Sequence, residues 1–341
     1  MAAPIKYPFI FTVLALSLTA LLVASLCLGP VPIPVSDVFQ VLAGGEATKA
    51  SWTYIVVDYR LPKALTALMA GLGLSISGLL MQTLFRNPLA GPYVLGLSSG
   101  SSLGVAFAVM GAGFLPEFMS RAFTSAGGIV IASCAGSLLV LLAILAVSAR
   151  MRDTMSILIV GLMFGSFTSA IVGVLTFFAP AEQLQKFTFW SLGNLGNLPW
   201  ESVAVLGLAV ATGILLAVRS IKPLDALLLG ENYARSMGLN ISSARWIIIA
   251  ATSLLAGSIT AFAGPIAFIG LAVPHMARLA FRTASHRVLF PATMLIGASV
   301  MVFCDIATQV PGTDLLLPVN AITSIIGAPV VIWLLLKKPF S

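Results

Sequence analysis

Charge is what this sequence lacks. Of its 341 residues only 18 are Lys or Arg and 11 are Asp or Glu, 9% together, while 59% are hydrophobic. A soluble domain carries about 25% charged residues and about 45–50% apolar ones. A fully water-facing surface cannot be built from this composition, and most of the exterior must meet lipid. Cysteine and histidine are nearly missing too. Cys27, Cys134 and Cys304 stand in apolar runs with no CxxC spacing, and His275 and His286 are the only histidines. That leaves no metal-ligand spacing; the cysteines are expected to be small buried hydrophobes and the histidines to be satisfied at a membrane edge. There is no GxxxxGK[ST] loop and no HExxH, which excludes P-loop nucleotide binding and zinc-peptidase chemistry. One GxSxG, Gly96 to Gly100, lies inside a small-residue run and lacks the strand, helix and His partner of a nucleophile elbow. No cofactor is expected.

What the sequence has in abundance is apolar runs of membrane length. The first, Phe9 to Leu28, follows Lys6; it is longer than the about 7–15 residues of a signal-peptide core and is expected to be a retained helix. Further runs cover Ala64 to Phe85, Tyr93 to Met110, Ala122 to Ser148, Thr154 to Phe178, Ser202 to Val218, Trp246 to Ala263, a shorter Pro-interrupted Ile266 to Leu279, Val288 to Gln309 and Leu315 to Leu336. The fold class is therefore all-α, a single polytopic domain over residues 1–341 with about ten transmembrane helices.

Basic residues orient the spans. With ten crossings and an inside N-terminus, Lys6, Arg86, Arg150, Arg152, Arg219, Lys222, Arg235, Arg245, Arg278, Arg282, Arg287, Lys337 and Lys338 fall inside, against Lys49, Arg60, Lys63, Arg121 and Lys186 outside. If the short run does not cross, the bias is lost. The count favours ten spans with both termini cytoplasmic. The net charge of +7 then reflects topology and gives no sign of a nucleic-acid partner.

Glycines repeat every four residues at Gly96, Gly100 and Gly104, and a second stripe runs Gly161, Gly165, Ser169, Gly173. Helices in lipid associate by close packing of small residues, so both stripes predict helix contacts. Breaks at Asn87 to Pro92, at Gly264-Pro265 with Pro274, and at Pro318 with Gly327 to Pro329 place irregular backbone at membrane depth, tolerated only inside protein or beside water. They suit a transporter better than an anchor. Asp305 is the only acid well inside a span. A lone carboxylate near the outer end is weak support for an ion-coupled carrier, and an intramembrane enzyme would need a catalytic pair that is not there.

One inside connection differs from the rest. Lys222 to Asn240 reads as two short helices hinged at Gly230, with Glu231 at the positive end of the second and Gly238 placed to stop it. Apolar and aromatic residues on such a protrusion suit docking in a partner's groove. The segment LLLGENYARSMGLN (227–240) resembles the coupling helices of the FecCD family of ABC importer permeases. Further matches are Tyr59 to Lys63, Ser77 to Ala90, Leu95 to Gly100, Gly264 to His275 and Gly327 to Pro329. The resemblance implies a permease of the bacterial inner membrane for iron-siderophores, haem or vitamin B12. It implies as partners two ABC ATPase subunits, a second permease subunit, identical or homologous, a substrate-binding protein outside, and the membrane lipid itself. It implies ATPase coupling through Gly230, Glu231, Ala234, Arg235 and Gly238, and binding-protein docking through Arg60 and Lys63. Met81 and Gln82 are expected along the pathway, with Thr154 and Met155 at its cytoplasmic gate. Some members carry Arg near Gln309, which this chain lacks. ATP hydrolysis is expected in the partner, not in this chain. The scarcity of carboxylate, imidazole and thiolate argues for a pre-formed chelate over a bare metal ion, with an iron chelate as the first expectation and cobalamin or haem as the alternatives.

Overall fold

A computed structural model describes residues 7–114, 116–148, 154–196, 198–309 and 316–337. Lys6, Arg150, Arg152 and Lys338 of the basic count, and the side chains of Thr154 and Lys337, lie outside the described residues. Among those described, the chain is helical, with one isolated antiparallel bridge between Gln309 and Leu316.

All ten apolar runs form helices. They are α1 (Tyr7–Cys27), α4 (Leu61–Leu84), α5 (Leu97–Met110), α7 (Ala126–Ser148), α8 (Thr154–Phe178), α10 (Trp200–Arg219), α13 (Ile241–Ala263), α14 (Ile269–Phe281), α15 (His286–Ala307) and α16 (Val319–Lys337). Seven helical stretches are long and apolar enough to cross a bilayer, and the described parts of α5, α14 and α16 are shorter apolar helices. Between them lie α2 (Val35–Leu42), α3 (Ala50–Tyr54), α6 (Glu117–Thr124), α9 (Ala181–Ser191), α11 (Ile221–Leu228) and α12 (Glu231–Ser236).

Three elements depart from the expected pattern. The second span starts early, because α3 runs through a π-helical turn at Ile55–Arg60 directly into α4, one helical stretch from Ala50 to Leu84. The fourth span starts late: Ser125 is extended and splits the short α6 from α7. Cys134 is exposed on α7, so of the three cysteines only Cys304 is buried as expected; in lipid an apolar thiol has no need of a protein core.

The column of the fold is α4. Within its stretch 78% of the apolar window is buried, against 17% for α8, and it packs on α10, α13, α14 and α15. Burial alone does not drive helices together in lipid, so the crossings depend on how near the backbones come. The carbonyl of Gly270 in α14 occupies the space a Cβ at Gly78 would need, and the carbonyl of Gly297 in α15 does the same at Gly71. The expected glycine stripe on α5 packs in the same way, Gly100 and Gly104 lying against Gly136 and Ala132 of α7. The stripe on α8 divides. Gly161 and Gly165 meet Gly96, whereas Gly173 has nothing near its missing side chain and Ser169 is exposed.

Freed backbone groups at the breaks are bonded. Between α13 and α14 the Ala267 amide donates to the Asn320 side chain (3.0 Å) and the Asn194 amide donates to the Ala263 carbonyl (2.8 Å). These bonds satisfy groups that a spanning helix would otherwise leave bare in lipid.

Gly78→Ala is expected to lower stability by about 1–3 kcal/mol through forced separation of α4 and α14, while Gly173→Ala leaves it unchanged or slightly raised. Thermal unfolding of both variants in one detergent decides, and equal melting temperatures would count against the close-packed column.

Candidate functional site

Functional groups gather at the two ends of the bundle. At one end, α11 and α12 protrude as two short helices joined at Gly230, which has φ of +120° and ψ of +144°. That backbone is open to glycine and strained for any other residue. Gly238, at φ of +82°, ends the second helix, and Asn240 then caps α13 by accepting from the Ser243 amide (3.0 Å). The hinge and stop expected from the sequence are both present. Leu228, Leu229, Tyr233 and Met237 are exposed, as is Arg235, and they form an apolar face with a basic rim. Ala234 is fully buried; it packs α12 onto the bundle and is not part of the outward face. Glu231 opens α12 and lies 3.4 Å from Arg245 of α13.

The protrusion is tied to the column beneath it. Arg86, just past the end of α4 and itself at φ of +46°, donates through Nε (3.0 Å) and Nη2 (2.8 Å) to the Leu227 carbonyl. A cation there meets the negative end of α11. Asp225 of α11 accepts from both the backbone amide (2.9 Å) and the Nδ1 (2.7 Å) of His286, the first residue of α15. The His286 Nε2 lies 2.9 Å from the Thr83 hydroxyl of α4. His275 Nε2 donates to the Pro88 carbonyl (2.8 Å), so both histidines are satisfied by neighbours, as expected. Gln82 donates to the Leu271 carbonyl (3.0 Å) and accepts from Arg278 (2.6 Å).

Gln82 and Met81 are thus buried in the packing of α4, holding α14 in place, and they do not face the open side of α8. That open side carries Met155, Ile159, Met163, Phe167 and Val174, all exposed, interleaved with exposed Ser166, Ser169 and Gly173. No charged residue occurs between Thr154 and Phe178.

At the opposite end, Tyr59, Arg60, Lys63, Asn194, Gln309 and Leu316 help to line a cavity of about 350 Å³. Arg60 is buried and donates to the Leu26 carbonyl at the end of α1 (2.7 Å) and to the Val31 carbonyl. Lys63 pairs with the buried Asp305 at 3.1 Å. Asp305 is therefore a packing carboxylate in an ion pair. Both basic groups reach the cavity wall with much of their charge already engaged. In the neighbouring loop, two bonds from Thr48 to Asp37, one from its hydroxyl and one from its amide (both 2.7 Å), hold the Asp37 carboxyl below the usual range. Among the described residues no cluster of three or more His, Cys, Asp or Glu converges.

Asp225, Thr83, Arg86 and the Lys63–Asp305 pairing were not singled out from the sequence. Each partner lies far along the chain, and only the isolation of Asp305 in an apolar run hinted at a mate.

An all-helical bundle of membrane-length apolar helices with an anchored two-helix protrusion is the architecture of a multi-pass membrane protein. The chain belongs to the FecCD transport family, whose family model matches residues 17–337. It is 34% identical over 328 residues to the vitamin B12 import system permease protein BtuC of Salmonella typhimurium (strain LT2), covering 95% of this chain and 94% of that one. It is 35% identical over 328 residues to BtuC of Klebsiella pneumoniae, with 95% and 92% covered. A solved inward-facing conformation of a metal-chelate type ABC transporter superposes with a TM-score of 0.84 at 28% identity, over 97% of this chain and all of that one. A second, PsaBC of Streptococcus pneumoniae in complex with Fab, shares the fold at a TM-score of 0.52 and 12% identity, over 90% and 97%. The protein is an ABC importer permease of the FecCD and BtuC type.

Asp305→Ala, which strands the Lys63 ammonium, is expected to cost about 3–5 kcal/mol, while Lys63→Met combined with Asp305→Leu restores parental stability. Denaturant unfolding in detergent measures both, and a double variant as weak as the single one would sink the assignment of a structural pair.

Proposed function

We propose that the chain pairs with a second permease chain and moves a bulky, pre-formed metal chelate of the iron-siderophore type inward. ATP hydrolysed by two cytoplasmic subunits docked on α11 and α12 supplies the energy. The observation that carries this is the protrusion itself: an exposed apolar face set on a glycine-only hinge and bonded at its base to the central column. A solvated loop needs neither the face nor the anchors. Gly230, Glu231, Arg235 and Gly238 form the ATPase-coupling element. The protruding end faces the cytoplasm, in keeping with the thirteen-to-five distribution of basic residues.

The pathway runs along the uncharged open side of α8, with Thr154 and Met155 at its cytoplasmic gate. A wall without charge suits a chelate, whose metal already has its ligands. The substrate-binding protein docks over the opposite end, around the cavity that Arg60 and Lys63 border. A second substrate, cobalamin, is favoured by the names of the BtuC relatives; it is likewise a chelate, so one pathway physics serves both.

In proteoliposomes holding the chain with its ATPase and binding protein, uptake of an iron-siderophore is expected to require ATP and to survive collapse of the proton gradient. Uptake without the ATPase, or cobalamin uptake to the exclusion of siderophore, overturns the corresponding part of the proposal. Gly230→Pro forces φ near about −65° on a position held at the opposite sign, and Glu231→Lys sets a second cation against Arg245. Both are expected to cut transport at least about tenfold, equivalent to some 1.4 kcal/mol of coupling. Unchanged initial rates of uptake would count against the coupling role.

A further inference from the structure

The contacts beneath the protrusion point to residues to which the sequence reading gave no role of their own. We infer that Asp225, His286 and Thr83 form a positioning relay that transmits displacement of the coupling helix α11 to the central helices α4 and α15; this rests on the importer reading above.

Asp225 is the only side chain of α11 seen bonded to the bundle among the described residues, and it makes two bonds at once. Its Oδ1 accepts the first amide of α15 at 2.9 Å, one of the orphan donors at a helix start, and the His286 Nδ1 at 2.7 Å. The carboxylate also sits at the positive end of the α15 dipole, so attraction and hydrogen bonding act along one line. His286 is almost fully buried and cannot turn to water for a substitute partner. With its Nδ1 proton given to Asp225, its Nε2 is left to accept from the Thr83 hydroxyl at 2.9 Å, and that hydroxyl's one proton is shared with the Leu79 carbonyl of α4, also 2.9 Å away.

Three helices are thus joined through one imidazole with both nitrogens engaged. Arg86 holds the C-terminal end of α11 through the Leu227 carbonyl, and the side chains of Leu224 and Leu227 beside Asp225 are buried. Held at two points, α11 cannot slide or rotate without carrying the end of α4 and the start of α15. Those helices meet again at Gly71 and Gly297, where there is no slack. The exposed face of the protrusion receives the push, and the relay turns it into movement of the column.

The test is the amount of substrate transported per ATP hydrolysed, measured in proteoliposomes with the complete transporter. Asp225→Ala and His286→Ala are each expected to lower this ratio about tenfold, and the double variant to fall no further, as groups acting through one contact are non-additive. Asp225→Asn, which keeps an accepting oxygen, is expected to recover at least half of the parental ratio. Thr83→Val leaves α11 attached to α15 and removes the hydroxyl that His286 and the Leu79 carbonyl share; it is expected to lower the ratio with the melting temperature of the complex unchanged. That variant keeps the test decisive if Asp225→Ala does not assemble. Additive losses, an unchanged ratio in Thr83→Val, or ratios that fall only in step with the melting temperature overturn the relay while leaving the importer reading intact. A parental complex without ATP-dependent uptake overturns the importer reading and the relay with it.

Discussion

In a bilayer the solvent is as apolar as the side chains, so burying leucine supplies almost no force between helices. What holds this bundle together is how closely backbones can approach, and that is decided where α4 lacks a Cβ. At Gly71 and Gly78 a neighbouring carbonyl fills the missing space, and α10, α13, α14 and α15 pack directly on that column. The buried Leu74, Ile76, Leu79 and Leu80 fill volume around it, but they follow a geometry already set by the glycines.

The same column orders the polar chemistry. Its middle carries only serine hydroxyls bonded back to their own helix, and its ends carry the groups that need partners elsewhere: Lys63 near one, Gln82, Thr83 and Arg86 at the other. Each is matched to a helix terminus, a backbone carbonyl or an opposite charge on another element. The protrusion of α11 and α12 and the cavity at the opposite end are therefore both attached to one rigid part, and strain at either is felt by the element they share. The open side of α8, by contrast, has few constraints. Half of its small-residue stripe is packed and half is bare, as fits a surface waiting for another wall.

Much of this was legible in the sequence, because lipid allows few solutions. Long apolar runs must be helices, and all ten became so; Gly230 and Gly238 declared a hinge and a stop through spacing alone, and both have the backbone that only glycine adopts easily. Less visible were features that depend on pairs. His286 and Asp225 are 61 positions apart, and nothing local to either announces the other. Met81 and Gln82 were expected along a pathway and are packed inside, because residues crowded from every side look the same in sequence as residues lining a cavity. Arg60 was expected to face a partner; it borders the outer cavity, and its guanidinium also closes the end of α1, a use that sequence does not distinguish from a surface charge. The π-helical turn before α4 and the split at Ser125 between α6 and α7 are local backbone features that no hydrophobic pattern records.

The interruption between α13 and α14 has a consequence of its own. The hydrogen-bond ladder stops at Gly264, and Phe268 sits at φ of +67° with its ring against Gly327 of α16. Across that gap the two helices share covalent chain but no cooperative ladder, so neither extends the other's hydrogen bonding. The joint is sealed by an amide side chain, Asn320, from the last span, which makes closure of the bundle conditional on a helix that leaves the ribosome some fifty residues later. Until α16 arrives, the broken segment has an unmet donor in the membrane, and the order of synthesis becomes part of how the fold is completed.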